Sequence, residues 1–230
     1  SMGFKALAAV LILAVLTRGA YAYSRSFVLD EFHSYYHATA RDWSAFLDGL
    51  LQDNHPPLSF LIIGVARSAF GLGEWALRSP AVVFGMLEIA LVASMAGSLV
   101  RRVGQSRRRT NWSSQSVPVW GAAMLAVSTL HFDYGTQARM YVLLSLCITV
   151  ATYALMTLLA RDEESHVDRP SLFGAGFALA VSAAAAFHTH YFAIQYLGSV
   201  SVMFVLIALF TGKWCALRTF AVSAFFAFTM

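Results

Sequence analysis

The sequence predicts an all-α, polytopic transmembrane helix bundle, and three observations lead to this fold class. Hydrophobic residues make up 58% of the 230 residues, whereas charged residues make up 12%, about half the fraction of a soluble domain. Most apolar residues fall into runs close to the roughly 20 residues that cross a bilayer. The positive residues lie between these runs, so the net charge of +4 does not indicate nucleic-acid binding.

Seven apolar runs predict seven crossings of a single transmembrane domain that covers residues 4–230. A further apolar run, Leu58–Phe70, is about 20 Å long as a helix, which is short of the roughly 30 Å hydrocarbon core. We therefore expect it to be an interfacial juxtamembrane helix within a first extracytoplasmic loop, residues 24–77. The predicted crossings are residues 4–23, 78–100, 117–134, 140–160, 172–187, 191–210 and 219–230.

The ends of the chain and its two cysteines have simple interpretations. Residues 1–3, Ser-Met-Gly, are interpreted as an expression scar. The last apolar run stops in mid-segment, so we expect the chain to be the N-terminal part of a longer protein. Cys147 and Cys215 lie in apolar surroundings and do not predict a disulfide framework.

The distribution of basic residues predicts the orientation in the membrane. With a cytoplasmic N-terminus and an interfacial Leu58 helix, most basic residues are cytoplasmic, as the positive-inside rule requires. The run Arg101–Arg109 is then expected to contact anionic lipid head groups. The same orientation places the segment around Asp30, Arg139 and the His188-Thr189-His190 turn on the extracytoplasmic side. The basic residues assigned to the cytoplasm are Lys5, Arg101, Arg102, Arg107, Arg108, Arg109, Arg161, Arg169, Lys213 and Arg218.

Polar side chains concentrate between Val28 and Pro57, in an otherwise apolar sequence. If Asp30 begins a helix, the residues three, seven and eleven positions later share its face. Those residues are His33, His37 and Arg41. An acid, two imidazoles and a guanidinium beside a membrane favour the acid/base half of an active site. The alternative is a solvated acidic start to a helix, which the helix dipole stabilises.

Four segments, in order, resemble the GT-C membrane glycosyltransferases. They are Asp30-Glu31, His55-Pro56-Pro57-Leu58 with the run to Gly71, Glu74–Pro80 with Phe84-Gly85, and Gln137–Tyr141. Over residues 4–191 the chain is similar to dolichyl-phosphate-mannose protein mannosyltransferases and to bacterial aminoarabinose and lipopolysaccharide-sugar transferases. The resemblance implies a GT-C type bundle in the cytoplasmic (inner) membrane. It also implies inverting sugar transfer, outside the cytoplasm, from a polyprenyl-phosphate donor to a hydroxyl of a protein, lipid or glycan.

The resemblance implies roles for five residues. Asp30 matches the first acid of the family's Asp-Glu pair and is expected to be the general base, while Glu31 orients its neighbours or a cation. Arg139 is expected to bind the donor phosphate, although a lipid-anchoring role is the alternative. His55 stands where a relative carries lysine before the proline, and with His190 it is expected to help bind the phosphate.

The other candidate residues have less specific interpretations. His33, His37 and His188 are predicted to support the site through hydrogen bonds. The pairs His33/His37 and His188/His190 have spacings that could hold a metal, but the prediction is no metal and no cofactor, with divalent-metal dependence left open. Glu88, within a predicted crossing, either faces a functional bundle interior or is a hydrogen-bonded packing group.

Two other classes of function stay open. A transporter or an assembly subunit is the main alternative, although a transporter places its polar groups near the membrane midplane, often within internal repeats. The sequence instead places most polar groups at one face and has no internal repeat. A histidine-bound zinc enzyme outside the cytoplasm is the third hypothesis.

Overall fold

A computed structural model of the protein describes residues 2–106, 116–161 and 169–230. Within those ranges the chain forms 11 α-helices and no β-strand, which confirms the all-α class. The predicted cytoplasmic run Arg107–Arg109 lies outside the described residues. The helices are α1 (Met2–Ser24), α2 (Glu31–Ala38), α3 (Trp43–Leu51), α4 (Leu58–Phe70), α5 (Glu74–Ser106), α6 (Ser116–Val127), α7 (Thr129–Tyr134), α8 (Tyr141–Arg161), α9 (Arg169–Phe187), α10 (Phe192–Phe210) and α11 (Trp214–Thr229).

Four helices of the described ranges are long and apolar enough to cross a membrane, as in an integral membrane protein. They are Gly3–Ser24 of α1, Glu74–Arg101 of α5, Tyr141–Ala160 of α8 and Phe192–Phe210 of α10. These spans match four of the predicted crossings. Leu172–Phe187 of α9 and Trp214–Thr229 of α11 are shorter apolar helices, and α11 begins before the predicted crossing at 219.

The run 117–134, which the sequence predicts as one crossing, is instead two helices. The helix is interrupted at Ser128, whose backbone is extended with ψ of 120°. The Ser128 hydroxyl oxygen accepts a hydrogen bond from the His131 N–H at 3.4 Å and so caps α7. Because Ser128 follows an apolar segment and Leu130 and Phe132 come soon after it, the length of the apolar run alone does not indicate this break.

The helices α4 and α5 frame the end of the predicted extracytoplasmic loop. The bounds of α4 are those predicted from the sequence, and α4 is followed by Gly71, whose φ of +87° suits glycine at a helix C-terminus. Pro80 lies within α5 and has no N–H to donate to Ala76. The Ser79 hydroxyl donates to that Ala76 carbonyl at 2.9 Å instead, so α5 continues through the proline.

The chain packs as two compact units. The first comprises Ser1–Asp53 and Ser59–Leu146, and in it α5 packs against α1 and α6 around small residues such as Ala14, Ala93 and Ala122. The second comprises Asn54–Leu58 and Cys147–Met230, and in it α9, α10 and α11 pack against one another. The predicted site residues are divided between the units.

Candidate functional site

A buried ion pair holds the start of α2 in the first unit. The Arg78 Nε donates to Glu31 Oε1 at 2.7 Å, and its Nη2 donates to Glu31 Oε2 at 2.6 Å. Both side chains are fully buried. This two-point geometry is the strongest form of the arginine–carboxylate interaction. Arg78 therefore fixes the orientation of the Glu31 carboxylate.

The remaining polar atoms of the pair are bonded to the backbone at the end of α1. Arg78 Nη1 donates to the carbonyls of Ala22, at 2.9 Å, and Arg25, while Nη2 donates to the Ser26 carbonyl at 3.0 Å. The Phe27 ring covers the guanidinium at 5.0 Å. These contacts fasten the chain between α1 and α2 to the beginning of α5.

The Glu31 carboxylate also accepts two backbone hydrogen bonds. Oε2 accepts the Val28 N–H at 3.0 Å, and Oε1 accepts the Ala138 N–H at 2.8 Å. Burial raises the pKa of Glu31, but the hydrogen bonds from Arg78, Ala138 and Val28, together with the positive charge of Arg78, outweigh it and hold the pKa below its ordinary value. Glu31 therefore joins α2 to the turn before α8 as a carboxylate.

The bond between Glu31 and Ala138 brings the next residues of each segment together. Asp30 Oδ2 lies 2.9 Å from Arg139 Nε. The Asp30 side chain is 50% exposed, whereas the Arg139 side chain is 5% exposed. One half-open carboxylate thus faces one buried guanidinium, and both sit at helix starts, before α2 and before α8.

The Arg139 guanidinium also has a donor that no protein group of the described ranges accepts from. Its guanidinium carbon lies 5.6 Å from the centre of the Tyr141 ring. Within the described ranges, its buried Nη1 has no hydrogen-bond partner, and neither has the buried hydroxyl of Ser59. Both residues line a cavity of about 10 Å³, which is room for about one water molecule.

The predicted polar stripe on α2 is shorter than expected. The helix ends at Ala38, so Arg41 lies beyond it and does not continue the face. His33 and His37 do share a face, and both converge on Asp53, just beyond α3. The distances from Asp53 Oδ2 are 2.9 Å to His33 Nε2 and 2.7 Å to His37 Nε2.

The other predicted histidines belong to the second unit. The Leu58 N–H, three residues after His55, donates to the His188 carbonyl at 2.9 Å and so joins the His55 segment to the α9–α10 turn. His188 Nδ1 lies 2.9 Å from the Ala184 carbonyl and is its donor. His190 Nδ1 accepts the Phe192 N–H at 3.1 Å, which leaves the proton of the neutral ring on Nε2.

A buried polar network in the first unit joins side chains of four helices, α1, α5, α7 and α8. Arg18 Nη2 lies 3.1 Å from His131 Nδ1, and His131 Nε2 lies 3.3 Å from Glu88 Oε2. The Ser145 hydroxyl donates to Glu88 Oε1 at 2.7 Å. The sequence indicated only Glu88; Arg18 was missed because one arginine near a crossing's end is typical of a flanking charge.

Gly135 makes room for this network at the end of α7. A Cβ at this position would lie 2.7 Å from the His131 carbonyl oxygen and 3.7 Å from Arg18 Nε. The first distance is shorter than real Cβ atoms show, so a side chain there requires the backbone to move. Arg18 Nε and Nη1 are buried without a hydrogen-bond partner in the described part of the chain.

Comparison with protein-family models, curated proteins and solved structures finds no match to this chain. The similarity to GT-C glycosyltransferases therefore depends on the four sequence segments alone. What the chain does must be argued from the arrangement of Asp30, Arg139 and their neighbours within an integral membrane protein.

Proposed function

We propose that the chain is a membrane glycosyltransferase, or the N-terminal part of one, of the GT-C type. It would transfer a sugar from a polyprenyl-phosphate donor to a hydroxyl group on the extracytoplasmic side of the membrane. The observation that carries the proposal is the 2.9 Å contact between Asp30 Oδ2 and Arg139 Nε. Such a transfer needs a base and a phosphate-binding cation close together.

The chemistry assigns one step to each of the two residues. The Asp30 carboxylate takes the proton of the acceptor hydroxyl as its oxygen attacks the anomeric carbon. The bond from that carbon to the phosphate oxygen breaks, and the polyprenyl phosphate leaves with the electron pair. Arg139 stabilises the charge that develops on this phosphate. Attack opposite the leaving group inverts the anomeric centre.

The resting ion pair fits this division of work. The carboxylate of Asp30 neutralises the guanidinium while no donor is bound. A donor phosphate offers several oxygens to the same guanidinium, so it competes with Asp30 and releases the carboxylate to act as base. The half-exposed position of Asp30 gives an acceptor hydroxyl access to it.

Glu31 has a different role in this proposal from Asp30. Both of its oxygens are buried and already accept hydrogen bonds from Arg78, Val28 and Ala138. It therefore acts as a positioning residue that sets the distance between Asp30 and Arg139. His55 and His190 remain candidates for the donor phosphate, and His188 for their support, on the strength of the sequence resemblance.

The test is sugar transfer by the protein in liposomes. Polyprenyl-phosphate donors carrying different radiolabelled sugars are supplied with hydroxyl acceptors, and released polyprenyl phosphate and the anomeric configuration of the product are measured. We expect transfer with inversion, and binding of radiolabelled polyprenyl phosphate by the same preparation. A folded protein that neither transfers sugar nor binds the lipid phosphate contradicts the proposal.

A transporter is the second candidate, and the Arg18–His131–Glu88 network favours it. Ionisable groups inside a membrane bundle often mark an ion or proton pathway. Liposomes that contain a pH-sensitive dye distinguish the two candidates. Proton movement that Glu88→Gln abolishes and Asp30→Asn leaves intact supports the transporter; no proton movement, with sugar transfer that needs Asp30, supports the enzyme.

A further inference from the structure

Three potential metal ligands converge between α2 and the end of α3. The Nε2 atoms of His33 and His37 lie 2.9 Å and 2.7 Å from Asp53 Oδ2. All three atoms lie within 4.8 Å of one another. We propose that His33, His37 and Asp53 form a binding site for a zinc ion. This inference does not depend on the proposed glycosyltransferase activity.

The donor atoms and their spacing suit zinc. Two imidazole nitrogens and one carboxylate oxygen are a ligand set that zinc takes in proteins, with bonds of about 2.0–2.2 Å. In a tetrahedral site such bonds place neighbouring ligand atoms about 3.3 Å apart. Each nitrogen–oxygen distance here needs to widen by only about 0.5 Å to admit the ion.

The backbone arranges two of the ligands in advance. His33 and His37 are one helical turn apart on α2, a spacing that presents two imidazoles to one metal ion. Asp53 follows α3, whose Phe46 and Leu50 pack with Phe60 of α4 in a small hydrophobic cluster. The third ligand thus lies two residues after a helix that packs against α4.

The surroundings exclude water from most of the site and leave one side open. The Phe60 ring centre lies 5.4 Å from that of His33 and 4.7 Å from that of His37. The side chains of His37 and Asp53 are largely buried, whereas the His33 side chain is 38% exposed. An ion can enter on the His33 side, where a water molecule can complete its coordination.

Zinc at this position would fasten α2 to the segment that follows α3. Asp30 is the residue that immediately precedes α2, so the ion would also stiffen the helix at whose start Asp30 stands. The competing interpretation is a metal-free cluster in which both imidazoles donate N–H groups to Asp53. The two interpretations differ in metal content, which can be measured directly.

The experiment uses the full chain, purified without a histidine tag, stripped with EDTA and dialysed against zinc. We expect mass spectrometry to find about one zinc ion per chain, as in a site with three protein ligands. His33→Ala, which alters the most exposed ligand, and Asp53→Asn, which keeps the shape of the side chain, are expected to reduce zinc to background. Asp48→Asn, which changes an exposed carboxylate of α3 outside the cluster, is the matched control and is expected to retain it.

Two further readouts guard against variants that misfold. Zinc added to the stripped protein should raise its melting temperature, because an ion that binds only the folded state stabilises it. Cobalt in place of zinc should give the visible absorption of a tetrahedral site. Absence of zinc from the parent protein, or equal zinc in parent and both variants, overturns the proposal and leaves a hydrogen-bonded cluster only.

Discussion

The side chains of Arg78, on α5, and Glu31, on α2, form a two-point ion pair that is fully buried and that also bonds to three backbone segments. These are the end of α1, the segment between α1 and α2, and the turn before α8. Because every polar atom of the carboxylate is already bonded, this pair organises the first unit without itself being open to a ligand.

Glu31→Gln should destabilise the first unit strongly. The substitution keeps the shape of the side chain but leaves the Arg78 charge buried without its partner, which typically costs about 3–5 kcal/mol. Glu74→Gln is the matched control, since Glu74 Oε2 lies 3.6 Å from the same guanidinium but the Glu74 side chain is 40% exposed. Its cost should stay below about 1 kcal/mol. Chemical unfolding in detergent measures both, and equal effects would show that burial of the pair contributes little.

Acid should remove the contribution of Glu31. Its pKa is lower in the folded protein than the ordinary 4.5, so its stabilisation is fully present above that pH and is lost as the pH falls through the folded pKa. Thermal unfolding followed from pH 7 to about pH 3 should therefore show a steep loss of stability below about pH 4.5. Glu31→Gln should lack this part of the pH dependence; an unchanged profile would assign the loss to other carboxylates.

Asp30→Asn should lower the turnover of sugar transfer by about a hundredfold or more, because the amide cannot accept the acceptor's proton. Binding of the donor should survive, since the side chain keeps its shape and Arg139 keeps its charge. Asp48→Asn, which changes an exposed carboxylate on α3, is the control and should turn over normally. Near-normal turnover of Asp30→Asn would remove Asp30 from the mechanism.

Arg139→Lys should impair donor use, and Arg139→Ala should impair it more. A guanidinium binds two phosphate oxygens at once, whereas an ammonium offers a single point charge. A charge-assisted hydrogen bond contributes about 1.5–3 kcal/mol, which corresponds to roughly a ten- to hundredfold loss of affinity or rate. Binding of radiolabelled polyprenyl phosphate and sugar transfer are the measurements, with thermal stability as control. A fully active, phosphate-binding Arg139→Ala protein would make Arg139 an interfacial anchor and leave His55 and His190 as the candidates for the donor phosphate.

The orientation of the chain can be tested by labelling single cysteines on sealed cells. In a Cys215→Ser background, which removes the exposed native cysteine, Leu29→Cys should react with an impermeant maleimide and Arg107→Cys should not. Leu29 is suited to this because it is 89% exposed and adjacent to Asp30. Labelling of Arg107→Cys alone would invert the topology and place the candidate site in the cytoplasm.

Apolar run length and turn residues sufficed to predict much of the helical framework. The run Leu58–Phe70 is a helix with those bounds because Pro56-Pro57 and Gly71 mark both ends. Asp30 stands at the start of α2, as predicted. However, α2 ends at Ala38, so Arg41 does not belong to the polar face of this helix. The adjacency of Asp30 and Arg139 depends on a backbone hydrogen bond from Ala138, which no side-chain pattern indicates.

The residues that sequence reasoning missed are those whose meaning depends on distant partners. Asp53 joins His33 and His37 only because α3 turns the chain back on α2. His131 lies in a run interpreted as one crossing. Its contact with Arg18 cannot be anticipated without knowing that the run is interrupted at Ser128. In each case the local sequence is compatible with a simpler role, and long-range packing determines which contacts the residue makes.

The sequence separations within the Glu31 contacts imply an order of events during biosynthesis. Glu31 and Arg78 are 47 residues apart, whereas Glu31 and Ala138 are 107 residues apart. Since a chain is synthesised from its N-terminus, Arg78 becomes available to Glu31 before Ala138 does. Glu31 Oε1 can then hold its bond from Arg78 Nε but lacks its second bond until the Ala138 N–H is in place. Insertion of α8 is therefore the step that completes the site, and a nascent chain halted before it would display Asp30 without its arginine.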